Sequence, residues 1–313
     1  MDENLINKVL RSYKLETSGI TPIKTGKFNS SFIIDLEGDS VYPHDKLILR
    51  IAPAHGTNFI FYEKNMMQRE VEVINKVREY TQIPVPEVFI FDDSNQVIDR
   101  EFMLMEWVPG KPLSNAQLNN QISATVMQKA GEYLRELHKK CRSDSYGYPQ
   151  IMASLPSWPQ AFTYLWENLI NDIQLCGVYS FTEAQQVKKA LQSQIEHFNH
   201  LTQSSLLHMD IWSQNIIVDY QGNLAAIIDW DRALWGDPEI EYAVLDYCGF
   251  NNSDFWNGYG SEPSNDESAR IRGIFYHFYE VQKYLVIWTL RRPDPVGVGS
   301  YKKYALDTLR KYL

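Results

Sequence analysis

The chain has 313 residues, 44% of them apolar, and a formal net charge of -9. That length predicts two domains rather than one, and an acidic balance with no Lys/Arg-rich run excludes a nucleic-acid binder, which needs basic groups against phosphates. Three widely spaced cysteines, Cys141, Cys176 and Cys248, give no disulfide framework and no metal-ligand spacing, and they fit a reducing cytoplasm.

The polar amino terminus does not read as a signal peptide. Residues 30–36 and 47–52 predict two short strands, separated by turn residues Gly38, Asp39 and Pro43. Residues 63–80 predict a helix that two prolines end at 84 and 86. Residues 87–91 and 101–108 predict two more strands, and Pro109, Gly110 and Pro112 then mark a hinge. Beyond it, 116–140, 161–172 and 182–201 predict helices, 205–230 a compact β block, and the remainder helix again. A flexible insert is expected at 251–268, rich in Asn, Ser, Gly and Asp. The most apolar run near the carboxyl end, 284–290, falls far short of the roughly 20 residues that span a bilayer. A strand-rich first part, 1–106, hinged to a helix-rich second part, 107–313, predicts an α+β, two-lobed architecture.

The informative segment is HMDIWSQNIIVD at 208–219, followed by IIDWD at 227–231. His208-x-Asp210 is followed five residues later by Asn215, and Asp229 comes fourteen residues after that. Gln221-Gly222-Asn223 predicts the turn of an intervening hairpin. Transfer of a phosphoryl group from a nucleotide needs a carboxylate near the acceptor hydroxyl and oxygen ligands for Mg²⁺ on the phosphates. A loop places Asp210 at the reacting end, and the hairpin returns Asp229 beside Asn215, whose hard oxygens suit Mg²⁺.

With the following Trp235-Gly236-Asp237-Pro238, these stretches resemble the aminoglycoside phosphotransferase family, a branch of the protein-kinase-like superfamily. The resemblance implies a two-lobed kinase-like fold and a small-molecule kinase using ATP or GTP with Mg²⁺. It implies that Asp210 is the catalytic carboxylate, that Asn215 and Asp229 hold the metal, and that His208 supports the catalytic loop.

On the nucleotide side such a fold needs a strand cation and a helix carboxylate. Arg50, inside an apolar strand, requires a partner. Met66, Glu70, Val73, Ile74 and Val77 share one helical face, so Glu70 is the inward carboxylate, while Gln68, Arg69, Glu72, Asn75, Lys76 and Glu79 fall on the polar face. The phosphate loop is expected at 25–31, with Ser30 and Ser31 as ligands. It lacks a G-x-G-x-x-G pattern, and no P-loop motif occurs in the chain. Glu106, Trp107 and Val108 are expected to meet the purine through backbone groups.

On the acceptor side, Asp231, Glu241 and Asp246 are expected to form an acidic wall for a cationic small molecule. Asp237-Pro238 predicts a helix start. Phe250, Phe255, Trp256 and Tyr259 read either as a lid or as packing, and His138 as a helix-surface or core residue. The leading expectation is a cytoplasmic kinase of amine-bearing antibiotics, aminoglycoside-like, macrolide or amicoumacin-type, conferring resistance. The alternative is a metabolic kinase of the same fold acting on homoserine, choline, methylthioribose or a fructosamine. A hydrolase with His208 and Asp210 as metal ligands, or a non-catalytic binding module, is the remaining reading. No nucleic acid or membrane partner is expected, and the chain is a monomer or homodimer.

Overall fold

The computed structural model describes residues 3–24, 28–38, 42–54, 60–152 and 155–313. Helix α1 (Glu3–Ser12) packs Ile6, Val9 and Leu10 onto one face of a five-stranded sheet. Its strands are β1 (Thr17–Ile23), β2 (Ser30–Leu36), β3 (Lys46–Ile51), β4 (Val88–Asp92) and β5 (Phe102–Glu106), in the order β1-β2-β3-β5-β4, every pair antiparallel. Strict alternation builds this layer. Leu47, Leu49 and Ile51 point with Phe32 and Ile34 toward α1, so Ile48 and Arg50 point the other way. That second face receives α2 (Met66–Tyr80) through Met67, Val73, Ile74 and Val77.

The chain then crosses to the second lobe. Strand β6 (Lys111–Pro112) pairs with β9 (Ile216–Val218), which pairs in turn with β10 (Leu224–Ile227). Gly110 permits the crossing, since a Cβ there would stand 2.3 Å from the carbonyl oxygen of Val218. A second small sheet, β7 (Arg142–Ser143), β8 (Ser204–Leu207) and β11 (Leu234–Gly236), follows the long helix α3 (Asn120–Lys140). Around these pack α4 (Trp158–Leu175), α5 (Phe181–Gln192), α6 (Pro238–Tyr247), α7 (Ser253–Tyr259), α8 (Glu267–Leu290) and α9 (Pro295–Leu309). Their core is aromatic, with Trp158, Phe162, Trp166, Phe198, Phe275 and Tyr276 all buried.

Three expectations change. The helix expected over 182–201 ends at Gln192, and a single 3-10 turn, Ile195–Phe198, follows. The helix expected from residue 63 begins at Met66, after another such turn, Phe61–Glu63. The insert expected to be flexible contains α7, which crosses α3 at van der Waals range. A Cβ on Gly131 would meet the carbonyl oxygen of Phe255 at 2.1 Å, and one on Gly258 that of Gln128 at 1.8 Å. Phe250, Phe255, Trp256 and Tyr259 are buried in that contact, so they pack rather than form a lid. No helix among the described residues is long and apolar enough to cross a membrane.

Candidate active site

The loop 208–215 leaves β8 and enters β9, and it is held from both sides. Met209 takes a left-handed conformation, φ 65°, that a non-glycine residue adopts only when surrounding bonds impose it. Its N–H donates to Glu241 Oε1 at 2.7 Å, and its carbonyl accepts from Arg232 Nη1 at 2.7 Å. His208 is fully buried. Its Nε2–H donates to the Ile228 carbonyl at 3.1 Å, and its Nδ1 accepts the Asp210 N–H at 3.1 Å. Burial pushes the His208 pKa down, against the pull of nearby carboxylates, which suits this neutral tautomer.

Asp210 follows, with its side chain 25% exposed in the cleft. Its Oδ2 accepts from Asn215 Nδ2 at 2.9 Å, and Arg232 Nη1 lies 3.3 Å from its Oδ1. Burial raises its pKa, but Arg232, Lys283 and the Asn215 bond outweigh that and hold the carboxyl below its ordinary value. Asn215 Nδ2 also donates to the Asp210 carbonyl at 2.8 Å, which leaves the Asn215 Oδ1 as the atom to offer a cation. The Ile228 N–H donates to the Asn215 carbonyl at 2.9 Å, and this bond brings Asp229 alongside. Asp229 is the second left-handed non-glycine residue of the site, φ 68°.

Arg50 reaches this group from β3. Its Nη1 donates to Glu70 Oε1 at 2.5 Å, and its Nη2 to Asp229 Oδ1 at 2.9 Å and to Asp231 Oδ2 at 3.5 Å. Three carboxylates thus meet one guanidinium, and their oxygens lie within 4.8 Å of one another. Burial lowers the Arg50 pKa, but the three carboxylates reverse this and lift it above the ordinary value. Burial, opposed by Arg50 and reinforced by Asp229, holds Glu70 above the usual carboxylate range; Asp231 is raised further by the same burial and by Asp229. The cluster is short of positive charge, and a divalent cation on Asp229 and Asn215 would supply it.

Ser31 pairs with Arg50 across β2 and β3, and Ser30 pairs with Ile51. Of the expected phosphate loop, residues 25–27 lie outside the described residues. The Glu106 N–H is committed to the Glu87 carbonyl at 2.8 Å, so that group is not offered to a base. Trp107 and Val108 are half-buried beyond the strand end.

The acidic wall is not assembled. Glu241 is fully buried, with Oε1 on Met209 and Oε2 accepting from His138 Nε2 at 2.8 Å, so it braces the loop and cannot reach an acceptor. His138 is a core residue whose Nδ1 accepts from Tyr259 at 2.9 Å. Asp231 belongs to the Arg50 cluster. Asp246 is exposed and accepts from Asn251 Nδ2 at 3.1 Å. Asp237 caps α6, accepting the Glu239 N–H at 3.0 Å. Beside the 208–215 loop opens a cavity of about 370 Å³ whose lining, including Leu113, Met127, Ser213, Cys248, Phe250 and Asn252, carries no charged side chain.

Residues 19–261 match the family model described as "Phosphotransferase enzyme family". The chain belongs to this family. A "Probable ketoamine kinase" of Vibrio vulnificus is 25% identical over 227 residues, 68% of this chain and 72% of that protein. Two solved structures share the fold. One is a thermostable mutant of the aminoglycoside phosphotransferase APH(4)-Ia with AMP-PNP and hygromycin B, TM-score 0.66 at 17% identity, covering 98% of this chain and 97% of that one. The other is the ADP-bound APH(2'')-Ib, TM-score 0.65 at 13% identity, covering 100% and 99%. The phosphotransferase therefore has the two-lobed, protein-kinase-like fold expected from its sequence.

Two groups of this phosphotransferase were not legible in the sequence. Arg69, expected on the polar face of α2, is fully buried. It donates to the carbonyls of Asp231 at 2.8 Å and of Tyr62 and Lys64 at 3.0 Å, and lies 4.5 Å over the Tyr148 ring. Arg232 grips Glu280 through two bonds of 3.0 Å, and Lys283 adds a third at 2.8 Å. Glu280 and Lys283 sit three residues apart in a helix otherwise rich in apolar positions, the one signal that such a charge pair is buried.

Proposed function

We propose that this phosphotransferase moves the γ-phosphate of ATP or GTP to a hydroxyl of a small molecule, with residues 1–106 as the nucleotide lobe and 107–313 as the catalytic and acceptor lobe. The observation that carries the reading is the meeting of Asp210, Asn215, Asp229 and Arg50 from the two lobes. Asp210, ionised and partly open to the cleft, accepts a hydrogen bond from the acceptor hydroxyl, orients its lone pair and takes its proton as the bond to phosphorus forms. Asn215 fixes the rotamer of that carboxylate. Bound Mg²⁺, held by Asp229 and Asn215, would neutralise charge on the phosphate oxygens. Arg50, fixed by Glu70, presents the remaining edge of its guanidinium to the nucleotide phosphates. His208 positions the loop and does not react.

Two observations favour a metabolic acceptor of the ketoamine class over a polycationic antibiotic. No acidic wall that would hold several amines is assembled among the described residues, since Glu241 and Asp231 are committed elsewhere, Asp246 accepts from Asn251, and no charged side chain lines the cavity beside Ser213. The relative from Vibrio vulnificus carries a ketoamine kinase name. The test is a mass-spectrometric panel with Mg-ATP and Mg-GTP, offering sugar ketoamines of lysine, homoserine, choline and aminoglycosides. A ketoamine gaining one phosphate with the highest kcat/KM is the expected result. Preferential phosphorylation of an aminoglycoside would restore the resistance reading.

A further inference from the structure

Glu280, on α8, is fully buried, and both oxygens of its carboxylate accept from Arg232 Nη2 at 3.0 Å. Lys283, also buried, donates to Glu280 Oε2 at 2.8 Å and to the Tyr247 hydroxyl at 3.1 Å. Buried ion pairs contribute little net stability over apolar side chains of the same volume. Stability alone therefore does not account for three charges placed behind the 208–215 loop.

The position of the Arg232 guanidinium supplies another reason. Its Nη1 donates to the Met209 carbonyl at 2.7 Å and stands 3.3 Å from Asp210 Oδ1, and its Nε has no partner. An arginine free to turn closes on a carboxylate with two short parallel bonds. Arg232 does not close on Asp210 in that way, because Glu280 takes Nη2. The other oxygen of Asp210, Oδ2, accepts from Asn215 at 2.9 Å. Oδ1 is left with one long contact, and it is the oxygen open to the proton of an acceptor hydroxyl.

We propose that Glu280 is a positioning residue that draws Arg232 off Asp210 and so keeps Oδ1 open to the acceptor. This rests on the reading of Asp210 as the base and adds a residue of α8, far outside the HMDIWSQN segment. Without Glu280, Arg232 turns onto Asp210 and covers the oxygen that reacts. Arg50 and Asp229 share no hydrogen bond with Arg232, Glu280 or Lys283, so the nucleotide side stays as it is.

Steady-state kinetics of the full chain with Mg-ATP and the panel compound of highest kcat/KM, alongside thermal midpoints, test it. Loss of Glu280 alone strands two buried cations, so the charge-balanced double variant Glu280→Gln with Lys283→Met is compared with Lys283→Met. The double variant should lose at least about tenfold in kcat, part of the factor a general base supplies. Its KM for Mg-ATP should stay near wild type. Lys283→Met, which leaves Glu280 on Arg232, should keep most of the wild-type rate. Added to Asp210→Asn, the same two changes should cost nothing further, because no base remains to be covered.

A double variant as fast as Lys283→Met overturns the assignment. So does an undiminished loss on top of Asp210→Asn, or a kcat loss matched by a rise in KM for Mg-ATP and a fall in thermal midpoint, either of which would mark a role in the fold. Asp210→Asn at the wild-type rate is a different failure: it would overturn the base reading, and the role of Glu280 would fall with it.

Discussion

The carboxylate of Glu241, on α6, accepts the backbone N–H of Met209 at 2.7 Å, and this bond holds the residue before Asp210 in a left-handed turn. The other carboxylate oxygen is held by His138, which Tyr259 holds in turn. A chain of buried bonds thus runs from α7 through α3 and α6 to the 208–215 loop. Glu241→Ala frees Met209 to relax toward an ordinary φ and displaces Asp210. A shift of about 1 Å costs on the order of 100-fold in rate, so kcat should fall by about that factor while nucleotide KM stays close to wild type. Glu241→Gln, which keeps an acceptor for Met209, should recover most of kcat. Equal losses in both variants, measured by steady-state kinetics, would count against the positioning role.

His200 and Asp237 predict a pH dependence of stability. His200 Nε2 lies 3.2 Å from Asp237 Oδ2. Burial lowers the His200 pKa, but the bond and charge of Asp237 outweigh it, so the pKa ends above 6.5, with Arg272 opposing and Glu239 assisting. A raised histidine pKa means the folded state holds the proton more tightly than the unfolded one. The stabilisation is complete below 6.5 and is lost as pH rises through the raised value. Thermal midpoints of wild type and His200→Gln should therefore differ in acid and converge on the alkaline side. A constant offset across the range would show that the charge plays no part.

Arg69 joins the lobes, because its guanidinium on α2 bonds the carbonyl of Asp231 in the second lobe while stacking on Tyr148. Burial pushes its pKa down, against the support of Tyr148 and Asp231. Arg69→Met keeps much of the volume but strands the buried carbonyls of Asp231 and Tyr62 and loses the part-buried bond to Lys64. At about 1–3 kcal/mol for each unsatisfied group, and with partial relaxation, a loss of about 3 kcal/mol is expected, or roughly 5 °C in thermal midpoint for a chain of this size. Glu70 is the next residue, so Mg-ATP affinity should fall as well. A midpoint within a degree of wild type would show that the lobes are held by other contacts.

These residues also show what the sequence could and could not reveal. The order of strands and helices was legible because period-2 and period-3.6 apolar patterns report directly on burial, as on β3 and on the Glu70 face of α2. The Asp210–Asn215–Asp229 convergence was legible because a tight hairpin fixes what lies beside what. Glu241, Asp231 and Arg69 were misread for one shared reason. Each is a charged residue buried by partners far away in sequence: Glu241 by His138, 103 residues distant, and Arg69 by Asp231, 162 residues distant. Local pattern assigns such residues to water or to a ligand, and only tertiary pairing reverses that. Gly131 and Gly258 carried the hidden signal for α7, since two glycines at a helix crossing make a close approach possible.

Asp210 bonds the Asn215 side chain while Asp229 follows the residue that bonds the Asn215 carbonyl, and the separate roles proposed for the two carboxylates predict separable defects. Asp210→Asn keeps the shape and the Asn215 contact but removes the base. Loss of general-base catalysis costs about 10²–10⁴ in rate, so kcat should fall within that range while Mg-ATP binds nearly as in wild type. Asp229→Asn is tolerated by the backbone, since asparagine accepts a left-handed φ readily. It removes a carboxylate from both Arg50 and the cation, so Mg-ATP affinity should fall along with kcat, and the Mg²⁺ concentration for half-maximal rate should rise. Titration calorimetry and Mg²⁺-dependent rates on the two variants decide the matter. Equal loss of nucleotide affinity in Asp210→Asn, or an unaltered Mg²⁺ requirement in Asp229→Asn, would contradict the division of labour between the two carboxylates.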